Sequence, residues 1–86
     1  MNYEIVFTKQ GAKDLEKIAQ SQYKCKAFRL LSILEKDPYN PPFEKLIDLD
    51  NTYSRRINVQ HRLVYKISEE EKTIIIIRMW THYGEN

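Results

Sequence analysis

The chain has 86 residues, of which 42% are hydrophobic and 30% charged, enough for one small domain spanning residues 1–86 with a single core. With 14 Lys and Arg against 12 Asp and Glu, the net charge is only +2, so overall charge does not by itself indicate a nucleic-acid partner. Two glycines, one cysteine and two histidines exclude a glycine-rich phosphate loop and a zinc cluster, so no metal or cofactor is expected.

Cellular location is indicated by cysteine usage and hydropathy. The single cysteine, Cys25, cannot form an internal disulfide, and we expect it to be chemically inert. The chain opens without a signal peptide, and its longest apolar run, Ile74 to Ile77, is far too short to cross a bilayer. These features predict a cytoplasmic protein with no membrane partner.

The first half of the chain predicts a strand and a helical hairpin. Residues 3–7 are rich in strand formers, and Thr8 after them can cap a helix. In the helix predicted from Lys9 to Gln20, spacings of three and four relate the apolar residues of one narrow buried stripe, Ala12, Leu15, Ile18 and Ala19. A second helix after Ser21 has an apolar face of Tyr23, Ala27, Leu30, Leu31 and Leu34. Its cationic residues mostly face away: Lys24, Lys26 and Arg29.

The second half predicts a proline-stiffened connection followed by strands. Prolines end the helices and keep residues 37–43 at the surface. Two strand-like runs flank a polar turn at residues 58–60, and a β-branched run at residues 73–80 indicates an inner strand. The predicted fold is therefore α+β, in the order βααβββ, with a small antiparallel-rich sheet and an N-terminal helical hairpin packed on one face.

The hairpin from Tyr53 to Tyr65, Y-S-R-R-I-N-V-Q-H-R-L-V-Y, is locally basic. Between Tyr53 and Lys66 there are four Lys or Arg residues and no acid. Alternation along a strand puts Arg56 on one face and Arg55 on the other. One face can then pack against the core while the other binds a ligand.

Three further residues could supply acid-base chemistry without a metal. Glu44 follows the proline-rich turn, Arg62 begins a predicted strand, and His82 with Tyr83 follows the last strand. Each has an ordinary interpretation as a surface acid, a surface ion-pair partner or a solvated histidine. Together they match RNA cleavage, in which a carboxylate deprotonates the 2′-hydroxyl, arginine balances the phosphate charge and imidazolium protonates the 5′-oxygen.

The segments P-P-F-E-K-L, Y-S-R-R-I-N-V-Q-H-R-L-V-Y and W-T-H-Y resemble those of the YoeB (Txe) branch of the RelE-like toxins. The resemblance implies a ribosome-dependent endonuclease that cuts mRNA in the A site and blocks translation. It also implies roles for individual residues: Glu44 as general base, Arg62 as transition-state stabiliser, His82 as general acid and Tyr83 as a base-stacking or orienting partner. Residues expected to contact substrate are Arg56, Arg55 and Lys45.

The same resemblance implies the partners. These are a cognate YefM-like antitoxin that covers or distorts the site, the bacterial ribosome with its mRNA, and a second copy in a homodimer. Two alternatives stay open. One is a toxin of the same fold that poisons DNA gyrase, as in the ParE branch, although the W-T-H-Y segment counts against it. The other is a non-catalytic nucleic-acid-binding module, for which His82 would be dispensable.

Overall fold

The computed structural model describes residues 2–80, and within this range two helices pack against a five-stranded sheet. The elements in chain order are β1 (Glu4–Phe7), α1 (Lys9–Ala19), α2 (Lys24–Lys36), β2 (Glu44–Lys45), β3 (Thr52–Arg56), β4 (Arg62–Ser68) and β5 (Thr73–Arg78). None of the helices in this part of the chain is both long and apolar enough to cross a bilayer.

The strand order is β1-β5-β4-β3-β2, which makes β5 an inner strand as predicted. β1 runs parallel to β5, while the other neighbouring strands pair antiparallel. The predicted α+β fold with an antiparallel-rich sheet is confirmed. The structure adds the two-residue strand β2, which pairs with β3 through Glu44 opposite Ser54 and Lys45 opposite Tyr53.

The core lies between the helices and one face of the sheet. Alternate residues of β4 and β5 provide the sheet side, and α1 and α2 provide the other: Ile18, Ala27, Leu30, Leu34, Leu63, Tyr65, Ile67, Ile74 and Ile76. The predicted apolar face of α2 is largely confirmed. In α1 the prediction for Ala12 is wrong, because Ala12 is exposed and the buried stripe comprises Gly11, Asp14 and Ile18.

Gly11 lets the first turn of α1 approach β5 closely. A Cβ atom at this position would collide with the carbonyl oxygen of Ile76. Thr8 caps the same turn: its Oγ1 accepts a hydrogen bond from the Gly11 N–H at 3.0 Å and lies 3.2 Å from the Ile76 carbonyl oxygen, to which it can donate. The helix start and the sheet are therefore in backbone contact, which requires a residue without a side chain.

Asp14 joins α1 to the end of β5. Its fully buried carboxylate accepts hydrogen bonds from Arg78 Nε at 2.8 Å, Met79 N at 2.9 Å and Trp80 N at 3.2 Å, and from Gln10 Nε2 at 3.0 Å. Burial opposes ionisation, but these hydrogen bonds outweigh it and hold the pKa of Asp14 below its usual value. Asp14 thus fixes the chain up to residue 80, directly before the segment that carries His82.

Replacing Gly11 with Ala should lower the free energy of unfolding by about 1–3 kcal/mol because the new methyl group overlaps the β5 backbone. Helix propensity alone predicts the opposite sign, a gain of about 1 kcal/mol. Urea denaturation therefore distinguishes the two. The exposed substitution Lys13→Ala on the same helix is the control and should leave the midpoint nearly unchanged; a stabilised Gly11→Ala variant would contradict the close approach.

Replacing Asp14 with Asn should cost about 2–4 kcal/mol of unfolding free energy at neutral pH, since the buried network loses its negative charge and one of its two acceptor oxygens becomes a donor. The folded-state pKa of Asp14 is depressed, so this stabilisation is present above about pH 4, where unfolded Asp is ionised, and disappears as the pH falls through the folded pKa. The free energies of unfolding of wild type and Asp14→Asn should therefore converge in acid. A constant difference across pH would show that the charge of Asp14 is unimportant.

Candidate active site

An ion pair between Glu44 and Arg62 forms the centre of the candidate site. Arg62 Nη2 lies 2.6 Å from Glu44 Oε1, and Arg62 Nε donates to Ser54 Oγ at 2.6 Å. The sheet register brings the three together, because Ser54 of β3 is opposite Glu44 of β2 and adjoins the β4 strand that begins at Arg62. The predicted base and the predicted phosphate-binding arginine are therefore neighbours.

Both side chains line a cavity of about 510 Å³ between α2, the proline-rich loop and strands β2 to β4. Arg56 lines it as well, and in the sheet register Arg56 lies directly opposite Arg62. Like charges in directly opposed positions destabilise a strand pair. A bound anion would relieve this repulsion, so the cavity is electrostatically suited to a phosphate group.

Arg55 lies on the opposite strand face from Arg56; it borders the same cavity but is almost fully buried, with an exposed fraction of 2%. Its guanidinium donates from Nε to the Tyr65 hydroxyl at 2.9 Å, from Nη2 to the Pro38 carbonyl at 2.9 Å and from Nη1 to the Pro42 carbonyl at 3.3 Å. These bonds occupy all three guanidinium nitrogens with protein acceptors. The placement favours a structural role for Arg55 over the predicted contact with substrate.

The loop before Glu44 is held by aromatic rings as well as by Arg55. Tyr53 stacks on Tyr65 and meets Tyr39 and Phe43 edge-on, so the loop rests on the sheet. The Tyr39 hydroxyl donates to Glu69 in the β4–β5 turn. Hydrogen bonds from Lys72, Tyr39 and Tyr3 lower the pKa of Glu69 to about 2, so this acceptor stays ionised well into the acid range.

The remaining predicted residues are placed differently. Lys45 is exposed on β2 and does not line the cavity; it borders a separate depression along residues 44–49. His82 and Tyr83 lie outside the described residues. Three polar cavity residues had no predicted role in a site: Ser54, Lys26 and Arg29. Serine in a strand carries no signal for such a role, and the two cations of α2 are typical of a solvated helix face.

Within residues 2–80, no cluster of three or more His, Cys, Asp or Glu side chains could hold a metal.

Comparison with known proteins gives consistent matches. A family model described as "YoeB-like toxin of bacterial type II toxin-antitoxin system" matches residues 7–83. A relative named Toxin YoeB from Streptomyces coelicolor is 33% identical over 84 residues, covering 92% of this chain and 98% of that protein. A structure of a YoeB dimer from Staphylococcus aureus is 30% identical with a TM-score of 0.81, covering 96% of this chain and 100% of that one. A YoeB-YefM complex from the same organism gives 30% identity, a TM-score of 0.76 and the same coverage.

Arg55→Lys should test the structural role, because lysine retains the charge but cannot make the three forked hydrogen bonds. We expect a loss of about 2–3 kcal/mol in unfolding free energy by urea denaturation, since buried acceptors lose their donors. The neighbouring exposed variant Arg56→Lys is the matched control and should stay within about 0.5 kcal/mol of wild type. Unchanged stability of Arg55→Lys with weaker RNA binding would instead indicate substrate contact.

Proposed function

Because this chain belongs to the YoeB-like toxins of bacterial type II toxin-antitoxin systems, we propose that it inhibits translation by cutting mRNA in the ribosomal A site. The single observation that carries the proposal is the Glu44–Arg62 pair at the cavity. It supplies a carboxylate and a guanidinium at hydrogen-bonding distance from each other. These are the two groups needed on the attacking side of a 2′-hydroxyl and its neighbouring phosphate.

In the proposed reaction, Glu44 removes the proton of the ribose 2′-hydroxyl, and the oxygen attacks the adjacent phosphorus. Arg62 moves from the carboxylate to the phosphate and balances its added negative charge. Exchange of partners is inexpensive because the Glu44 side chain is 71% exposed and such ion pairs are weak. The Ser54 hydroxyl holds Arg62 Nε during this exchange, so the guanidinium keeps its orientation.

Further roles are assigned to Arg56, His82 and Tyr83. Arg56 is a second cation on the phosphate, in keeping with its position opposite Arg62. His82 acts as the general acid that protonates the leaving 5′-oxygen, and Tyr83 stacks on a base or orients the phosphate. Lys45, exposed beside Glu44, contacts the message outside the cavity. The reaction needs no metal or other cofactor.

The partners are proposed from the relatives. The Staphylococcus aureus YoeB-YefM complex supports a YefM-like antitoxin that binds this chain and suppresses its activity. The YoeB dimer from that organism supports assembly into a homodimer. Because its proposed target is the translating ribosome, we propose that the protein acts in the bacterial cytoplasm.

Cell-free bacterial translation of a defined message, with new 5′ ends mapped by primer extension, tests the proposal. Wild type should cut inside codons only when ribosomes are present. Single-turnover cleavage should fall about 10² to 10⁴-fold in Glu44→Gln and in His82→Ala, since each removes a proton-transfer group. Arg62→Ala should fall about 10²-fold or more, since it removes a charge-stabilising donor. The exposed acid variant Glu70→Gln is the control.

Three results would count against this function. An intact message would exclude the nuclease, and DNA damage signalling on induction would then favour the gyrase-directed alternative. Cleavage that persists in all three site variants would exclude the assigned residues. RNA binding that depends on the arginines but not on His82, without cleavage, would indicate a plain binding module.

A further inference from the structure

Helix α2 contributes a wall to the cavity that the proposed reaction does not use. Lys26 and Arg29, one helical turn apart on the same side of α2, line the cavity that contains Glu44, Arg56 and Arg62. The sequence pattern predicted that these two residues face solvent. Their side chains are exposed, and both line the same cavity as the catalytic candidates.

The cavity carries more positive charge than one phosphate needs. Glu44 is the only acid among its described lining residues, and it is paired with Arg62. Within residues 2–80, no hydrogen bond or ion pair engages the side chains of Lys26, Arg29 or Arg56. A scissile phosphate held by Arg62 and Arg56 leaves the two cations of α2 without an anion, so the cavity is charged for a ligand with a second phosphate.

The cavity also has apolar lining residues. These are Leu30 and Ile33 of α2 and Pro42 and Phe43 of the loop across from it. Flat rings and aliphatic side chains are surfaces on which a nucleobase can lie. The volume of about 510 Å³ falls within the range of pockets that hold ligands of nucleotide size. An isolated phosphate would use the cations but not this surface.

We propose that the α2 wall, together with the loop residues across from it, is a subsite for the nucleotide adjacent to the scissile phosphodiester. Lys26 and Arg29 contact the phosphate of that nucleotide, and Ile33, Pro42 and Phe43 contact its base. This proposal rests on the proposed nuclease function and extends it, because it adds a binding site that positions the message across the Glu44–Arg62 pair.

Binding is measured with a probe that cannot be cut: ribosomes programmed with a message whose A-site codon carries 2′-deoxynucleotides. The double variant Lys26→Ala/Arg29→Ala should bind these ribosomes about tenfold more weakly than wild type. The slope of log Kd against log salt concentration should be smaller for this variant than for wild type, by about 0.7 for each phosphate group that the variant no longer neutralises. The control Lys13→Ala/Lys24→Ala removes the same charge from exposed positions outside the cavity and should match wild type.

Cleavage of an ordinary message by the same proteins separates the two proposals. If wild type does not cut, the nuclease proposal fails, and with it the subsite. If wild type cuts and the α2 variant binds and cuts like the control, the subsite alone is wrong. If the α2 variant cuts normally but escapes inhibition by a YefM-like antitoxin, the wall binds that protein and the nucleotide assignment is overturned. The subsite is supported if the α2 variant, but not the control variant, binds more weakly and needs a higher ribosome concentration for half-maximal cleavage.

Discussion

The hydrogen bonds of the buried Arg55 guanidinium join three parts of the structure that are distant in sequence. They connect β3 to the Tyr65 hydroxyl of β4 and to the carbonyl groups of Pro38 and Pro42 in the loop before β2. Burying an arginine is unfavourable unless its N–H donors are hydrogen-bonded. The bonds to the Pro38 and Pro42 carbonyls therefore fix the position of the loop. Glu44 follows Pro42 by two residues, and its position at the cavity depends on this contact.

Asp14 acts in the same way at the end of β5. A buried carboxylate with four donors holds the end of β5, just as a buried guanidinium with three acceptors holds the loop before β2. A domain of this size has a small hydrophobic core, which supplies limited stability. Part of its interior is occupied by two buried charged groups, Asp14 and Arg55, whose hydrogen bonds are satisfied within the protein. The elements leading to the site are thereby fixed without a large hydrophobic interior.

The cavity concentrates positive charge that opposes folding. Arg56 and Arg62 lie opposite each other on β3 and β4, and Lys26 and Arg29 of α2 line the same cavity. Only Glu44 offsets this charge among the described lining residues. Binding of a polyanion, or of an antitoxin with acidic groups, would relieve the repulsion. Ligand binding and stability are therefore expected to be coupled in this chain.

Local patterns in the sequence were sufficient to predict the two helices and every strand except β2. Strand alternation predicted that Arg55 and Arg56 point in opposite directions, and helical spacing predicted most of the buried faces. The segments that resemble YoeB-like toxins pointed to Glu44 and Arg62, and the sheet register brings these two residues together. Such signals arise from residues within a few positions of one another, which is why the sequence alone is enough to recognise them.

Contacts between distant segments were decided only by the tertiary structure. The parallel pairing of β1 with β5, the two-residue strand β2 and the backbone contact at Gly11 each depend on a partner far away in the chain. Alternation could separate Arg55 from Arg56 but could not show that Arg55 would be fully satisfied by buried acceptors. Nor could helical spacing show that Lys26 and Arg29 face a cavity and not open solvent, because the opposite wall of that cavity comes from the loop and the sheet.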